Sequence, residues 1–282
     1  MSDPFQEAIR ASLPLLQKIQ QGIKPAPKAP ASALRHLRET AIRRPAKPAI
    51  AAAPATPAPE ETRAALSAAK PAPTGGPWTF ESLRKAVLAC EKCPHLVRSR
   101  TQVVFGVGNP EAELMFVGEA PGADEDAQGE PFVGKAGQLL TKMIQAMGFE
   151  RTDIFIANVL KCRPDMPAGE SGNRKPKPAE MATCLPWLRE QIDLIRPRAI
   201  VALGATAVEG LLGDTSPMRD LCGRWLEFQG IPVMVTYHPA YLLRNQTITE
   251  KRKVWEDMLL VLEKLGKKIS AKQRAFFTKA AD

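Results

Sequence analysis

The chain has 282 residues, 44% of them hydrophobic, and a formal net charge of +9 at pH 7. That length suits one sizeable α/β domain with an appendage, or two small domains. The charge is uneven: residues 1–75 carry 11 Lys+Arg against 5 Asp+Glu and 12 of the 26 prolines, which leaves 28 against 25 for the remainder. No run approaches the roughly 20 apolar residues of a membrane span, and no basic start leads into an apolar signal core. Membrane and secretory classes are therefore set aside and the cytoplasm, close to the nucleoid, is the expected compartment, although the acid-poor start also has the composition of an organelle transit peptide.

In chain order, Phe5, Ile9, Leu13, Leu16, Ile19 and Ile23 recur at helical spacing around Pro14 and predict a short amphipathic helix. A packed start, a partner contact and a frayed tail are all open for it. Residues 25–77 read as linker, with one weaker helical stretch at 32–43. Residues 1–75 are thus expected to be a basic, Pro/Ala-rich disordered extension. It is expected to be dispensable for chemistry and able to bind an acidic polymer by charge.

The folded domain is expected at 78–266, followed by a basic tail at 267–282. A helix at 79–89 leads into Cys90, Cys93 and Pro94. Strand signals recur at 112–117, 153–159, 199–203 and 231–236, and helical stretches at 135–147, 178–195, 205–212 and 249–265. This alternation predicts an α/β fold, a mainly parallel sheet with helices on both faces. Residues 224–229 pair with 231–236 as a hairpin across Gly230.

The stretch 118–134 connects the first strand to a helix and is far longer than such loops need. It holds four glycines, two prolines, the acidic run Asp124, Glu125, Asp126, and one aromatic residue, Phe132. Loops of this kind at the carboxyl end of a strand are where α/β sheets bind ligands. Residues 129–136 nearly spell a phosphate-binding P-loop. The match fails at Ala136, where a hydroxyl is required, and bulky Pro131 and Phe132 stand where backbone amides should cradle phosphate.

The five cysteines are at 90, 93, 162, 184 and 222. A redox Cys-x-x-Cys pair would follow a strand and open a helix, whereas here a helix precedes it and Pro94 follows. A tetrahedral zinc and an iron–sulfur cluster would both accept four thiolates, and unligated buried thiols are the remaining reading. Cys222 has no near partner in sequence and reads as a plain thiol.

Three further stretches complete the pattern: Asn158 to Pro164, Asn173 to Pro178, and Thr236 to Arg244 with His238 before Pro239. Together with the 118–134 loop they resemble, in the same order, the family 4 uracil-DNA glycosylases, the iron–sulfur branch of that superfamily. The resemblance spans about 90–265. It implies a three-layer αβα uracil-DNA-glycosylase-like fold, uracil-containing DNA as partner, monofunctional hydrolysis of the uracil–deoxyribose bond, and a [4Fe-4S] cluster on Cys90, Cys93, Cys162 and Cys184.

By the same resemblance Gly118 and Ala120 line the uracil pocket, Phe132 stacks on the flipped base, and Asn158 reads its polar edge. His238 stabilises the departing anion. Better-studied glycosylases place an Asp at the slot held here by Ala120, which turns attention to Glu119 and Glu125 as groups that orient water or stabilise the sugar cation. Asn173 is a candidate water or DNA contact. Lys161, Arg163, Arg174, Lys175, Lys177 and Arg244 are candidate phosphate contacts. The 165–172 link is longer than the family's usual one, and it carries no histidine for the covalent trapping of a related branch. A monomer is expected, with residues 1–75 as the place where replication or repair proteins would dock. The alternative function is a non-catalytic iron–sulfur DNA-binding protein of the same fold, and a zinc-stabilised scaffold is a third.

Overall fold

The computed structural model describes residues 78–278 except positions 168 and 171. The extension at 1–75, with the helices expected at 5–23 and 32–43, lies outside the described residues. The described chain opens with α1 (Phe80–Leu88), whose start is fixed by a reciprocal cap: Ser82 N donates to Thr79 Oγ1 and Thr79 N donates to Ser82 Oγ. Then α2 (Pro94–Ser99) begins directly after Cys93, with Pro94 where a missing N–H costs nothing.

One six-stranded sheet follows, built from β1 (Val107–Gly108), β2 (Leu114–Gly118), β3 (Phe155–Asn158), β4 (Ala199–Leu203), β5 (Trp225–Phe228) and β6 (Ile231–Thr236). Their order is β1-β3-β2-β4-β6-β5. The four inner strands are parallel, and β1 and β5 are antiparallel edges. The β5–β6 pair is the hairpin expected across Gly230. The connecting helices are α3 (Ala123–Gln128), α4 (Lys135–Met147), α5 (Pro178–Ile195), α6 (Ala205–Leu212), α7 (Met218–Leu221), α8 (Pro239–Arg244), α9 (Ile248–Lys264) and α10 (Ala271–Ala275).

Every residue of β2, β3 and β4 is buried, as a sheet covered on both faces requires. The two-residue period of the strands sorts them into two cores. Met115, Val117, Ile200 and Ala202 pack with α1, α5 and α6, while Leu114, Phe116, Val201 and Leu203 pack with α4 and α9. The result is the three-layer αβα arrangement that the alternation of elements predicts. Residues 267–278, basic in sequence, fold back on the second core: Trp255 Nε1 donates to Gln273 O at 2.7 Å, and Gln273 Nε2 donates to Ala146 O at 2.9 Å. Among the described residues no helix is long and apolar enough to cross a membrane.

One carboxyl group is sealed into this packing. Asp257 on α9 is buried, with its Oδ2 2.5 Å from Thr236 Oγ1. Burial pushes its pKa up to about 7; the Thr236 hydrogen bond opposes the rise and the charge of Glu256 adds to it. The native state thus holds a proton that the unfolded chain releases near pH 3.8. Stability should fall as the pH rises from there to about 7, and stay lower above it. Asp257→Asn removes this titration. Thermal melts should show a flatter profile for the variant across that interval and a higher melting temperature than wild type at pH 8.

Candidate active site

The chain runs from β2 to β3 on one side of the sheet and then crosses to β4 on the other, so its order switches at the carboxyl end of β2. Ligands of open α/β sheets bind in the crevice outside such a point. Four residues meet there. Gly118 ends β2, Asn158 ends β3 in register with it, Gly204 follows β4, and His238 follows β6.

The 118–134 segment is not an open loop, because α3 interrupts it. Glu125 on α3 organises what remains: its Oε2 accepts from Gly122 N and its Oε1 from Val133 N and Gly134 N, each at 3.0 Å. Arg151 holds the far side by donating to Pro131 O and Phe132 O. Pinned at both ends, Phe132 takes φ 56°, a left-handed backbone conformation that bulky side chains rarely adopt. Its ring is 6% exposed and lies over Gly118. A Cβ at Gly118 would come within 2.4 Å of both Phe132 Cζ and Asn158 Oδ1, so only glycine allows this stack.

Asn158 is 3% exposed, and its Oδ1 is one of two buried side-chain polar atoms without a partner among the described residues. Such an atom costs about 1–3 kcal/mol. An orphaned acceptor in a crevice, under an aromatic ring, marks where a ligand's donor belongs.

His238 caps α8, and its Nδ1 accepts the Ala240 N–H at 3.2 Å, which leaves the ring proton on Nε2. Its ring centroid stands 5.5 Å from that of Phe132, with 30° between the planes. Burial pushes its pKa down to about 4, the Arg244 charge acts the same way, and Glu125 opposes. At neutral pH the site therefore offers an uncharged donor.

The other sequence-chosen residues are placed less centrally. Glu119 follows Gly118, but its Oε2 is taken by Thr206 Oγ1 at 2.5 Å. Ala120 is half-buried against the first core. Asn173 is exposed, with its Nδ2 3.1 Å from where a Cβ of Gly122 would stand.

Of the cations chosen for phosphate, Lys161 is 1% exposed and cannot reach a backbone outside the protein. Arg174 is bound to Asp165 and Glu180, whereas Lys175, Lys177 and Arg244 are exposed. Glu180 is held down at about 2: burial works against this, and hydrogen bonds from Arg174, Lys177 N and His95 outweigh it. His95, Asp165 and Glu180 bring ligand atoms within 4.8 Å of one another, but Arg174 already bridges the two carboxylates.

Four cysteines converge behind the crevice. Cys90, Cys93, Cys162 and Cys184 line one cavity, closed by Leu96 and Trp187. Three N–H groups point at their sulfurs: Arg100 Nη1 at Cys162 (3.1 Å), Lys161 N at Cys184 (3.2 Å) and Trp187 Nε1 at Cys90 (3.3 Å). Burial pushes the thiols of Cys93 and Cys162 up and that of Cys184 to about 12, and neighbouring sulfurs of the set add to each rise. Cys222 lies apart, hydrogen-bonded to Tyr237.

Residues 105–259, more than half of the chain, match the family model described as the uracil DNA glycosylase superfamily. The chain is 44% identical over 184 residues to a type-4 uracil-DNA glycosylase of Thermotoga maritima, covering 64% of this chain and 91% of that protein. The chain belongs to the type-4 uracil-DNA glycosylase family. Its counterpart from Archaeoglobus fulgidus is 38% identical over 198 residues, covering 67% of this chain and 95% of the relative. A type-5 uracil-DNA glycosylase of Pyrobaculum aerophilum is more distant, 29% identical over 199 residues, 59% of this chain and 84% of that protein.

Sequence reasoning found the residues of this glycosylase fold that face the crevice but missed those that hold them. Arg151, Thr206 and Gln191 were overlooked, and Lys161 was read as a phosphate contact although it is buried. For Lys161 a signal existed, since it follows the apolar run Val159, Leu160 and precedes Cys162. The stacking makes a specific demand on residue 118. Gly118→Ala should push the Phe132 ring out of the crevice at about 1–3 kcal/mol. Nuclear Overhauser contacts between the Phe132 and His238 rings should disappear while the far-ultraviolet circular dichroism is unchanged.

Proposed function

We propose that the chain excises uracil from DNA as a monofunctional glycosylase, leaving an abasic site. The observation that carries this is the unpartnered, buried Oδ1 of Asn158 beneath Phe132. Uracil's edge presents an N–H beside a carbonyl, which an amide oxygen and its amide N–H match together. Cytosine offers an acceptor where uracil has that N–H, and would leave Asn158 Oδ1 still unpaired. A base reaching this crevice must leave the helical stack, at a cost of a few kcal/mol, and stacking on Phe132 returns about 1–3 kcal/mol. The family membership of the chain points the same way.

The chemistry follows from where charge develops. As the bond between uracil N1 and C1′ breaks, its electron pair stays with the base and positive charge grows on the sugar. The Nε2–H of neutral His238 donates to the base oxygen that takes up the negative charge, and this interaction strengthens on the way to the transition state. Water then attacks C1′, leaving a hydroxyl on the sugar, and the proton it sheds passes through solvent to the released uracil anion. Of the two loop carboxylates, Glu125 is the better placed to orient it. Its Oε2 accepts one hydrogen bond and retains a free lone pair, and its charge is felt at His238. Glu119 is drawn to Thr206. Lys177 and Arg244 are exposed cations that DNA phosphates can reach, and Lys175, also exposed, would first leave its ion pair with Glu209 at 2.7 Å.

The donor set of Cys90, Cys93, Cys162 and Cys184 suits a [4Fe-4S] cluster. Four thiols around one cavity, with three N–H groups aimed at sulfur, is the environment such clusters use. Among the described residues no three of these sulfurs lie within 4.8 Å of one another. A single tetrahedral zinc, with bonds of about 2.3 Å, would draw its sulfurs to about 3.8 Å apart. When bound, the cluster ties α1, the turn after β3 and α5 together.

The test is incubation of the purified protein with a uracil-containing oligonucleotide, followed by alkali. Strand breaks at the uracil position are expected, with broad absorption near about 400 nm from the cluster. His238→Ala should lower the single-turnover rate on the order of 10²–10³ with that absorption intact. DNA binding without breaks would indicate a non-catalytic member of the fold.

A further inference from the structure

Lys161 is the buried cation for which neither DNA contact nor catalysis gives a use. It is 1% exposed and no carboxylate pairs with it. Its Nζ donates to the backbone oxygen of Asn158 at 3.0 Å and to Gln191 Oε1 at 2.5 Å. Gln191 in turn donates through Nε2 to Phe105 O at 2.9 Å. The backbone of Lys161 is fixed as well: its N–H points at Cys184 Sγ at 3.2 Å and its oxygen accepts from Val104 N at 2.8 Å.

Burying an ammonium group away from water is costly unless it is well paired. Burial draws this one down to about 8, with the thiols of Cys184 and Cys162 opposing. A surface lysine at this position would spare the fold that cost, and an apolar residue would fill the same space. What an apolar residue cannot do is hold the carbonyl of Asn158. The turn after β3 has few other constraints near that residue: Val159 N donates to Gly118 O and Leu160 N to Glu119 O. The side chain of Asn158 has no protein partner for its Oδ1 to lock it.

We propose that Lys161 is a positioning residue for uracil recognition. Its side chain spans from the backbone oxygen of the base-reading Asn158 to Gln191 on α5, and so ties the backbone that carries the Asn158 amide to the helix that carries Cys184. This rests on the uracil-reading role of Asn158 given above. A misplacement of about 1 Å at such a group costs on the order of 10²-fold in rate. Lys161 touches neither base nor sugar, so its effect runs entirely through Asn158.

The experiment is a double-mutant cycle on the iron-loaded protein, with Lys161→Met, Asn158→Ala and their combination. Single-turnover rates on a uracil oligonucleotide are measured beside iron per chain, melting temperature and free-uracil binding by saturation-transfer NMR. Lys161→Met should lower the rate by about 10–100-fold and weaken the free-uracil signal, with iron content unchanged. In the Asn158→Ala background it should cost almost nothing further. A full extra loss there, or a wild-type rate for Lys161→Met, overturns the proposal. If Lys161→Met fails to retain iron, the cycle is run with Gln191→Met, which removes the far anchor of the lysine and lies outside the cysteine-bearing turn. The same non-additivity is expected, and an activity loss that only follows iron content or melting temperature would refute the positioning role. If Asn158→Ala itself keeps full activity, the reading of the site fails rather than this inference alone.

Discussion

The site depends on the absence of a side chain at residue 118. With no Cβ at the end of β2, the Phe132 ring can settle on the strand and the Asn158 amide can lie beside it, where an added carbon would sit 2.4 Å from each. Phe132 reaches that place only by taking φ 56°, and it keeps that backbone because Glu125 and Arg151 bind the loop on either side. The strain is local, and its support comes from α3 through Glu125 and from the turn after α4 through Arg151. Such an arrangement fixes a flat slot before any ligand arrives, which lowers the ordering cost of binding.

Electrostatics within the slot follow from the same closeness. The crevice is built from neutral groups: an amide, an aromatic ring, and a histidine whose pKa burial and Arg244 together lower to about 4. A leaving group that departs as an anion is stabilised by a neutral donor with its proton already on Nε2, which needs no reorganisation during the reaction. The charged groups stand one layer back. Glu125 holds the loop and Lys161 holds the turn bearing Asn158. Behind them the four cysteines, drawn from the segment between α1 and α2, the turn after β3 and α5, line one cavity.

Much of this was legible in the sequence, for identifiable reasons. Alternating strand and helix periods give the layered fold directly, and the crevice is marked by Asn158 and His238 at strand ends, by Phe132 in the glycine-rich 118–134 loop, and by the family resemblance of these stretches. The folding of that loop was not legible. Glu125 reads there as a group that orients water or stabilises a cation, yet it is also a clamp for three amides, and this depends on how residues eight and nine positions on return to it. Lys161 and Arg174 read as phosphate ligands because they are basic and lie near the motif. Burial of the first and the ion pairs of the second are tertiary facts. Edge strand β1 is two residues long and carries no periodicity to read.

The central claim is that a neutral His238 stabilises the departing base. The pH dependence of single-turnover excision by the wild-type protein tests it most directly. With the folded pKa of His238 near about 4, the imidazole is uncharged throughout pH 5.5–8.5, a range of roughly the ordinary histidine pKa plus or minus a unit or more. The account predicts no inflection from His238 in that range, and a change due to it only as the pH approaches 4. An inflection near pH 6.5 that vanishes in His238→Ala would show that the charged imidazolium takes part, and would contradict the account.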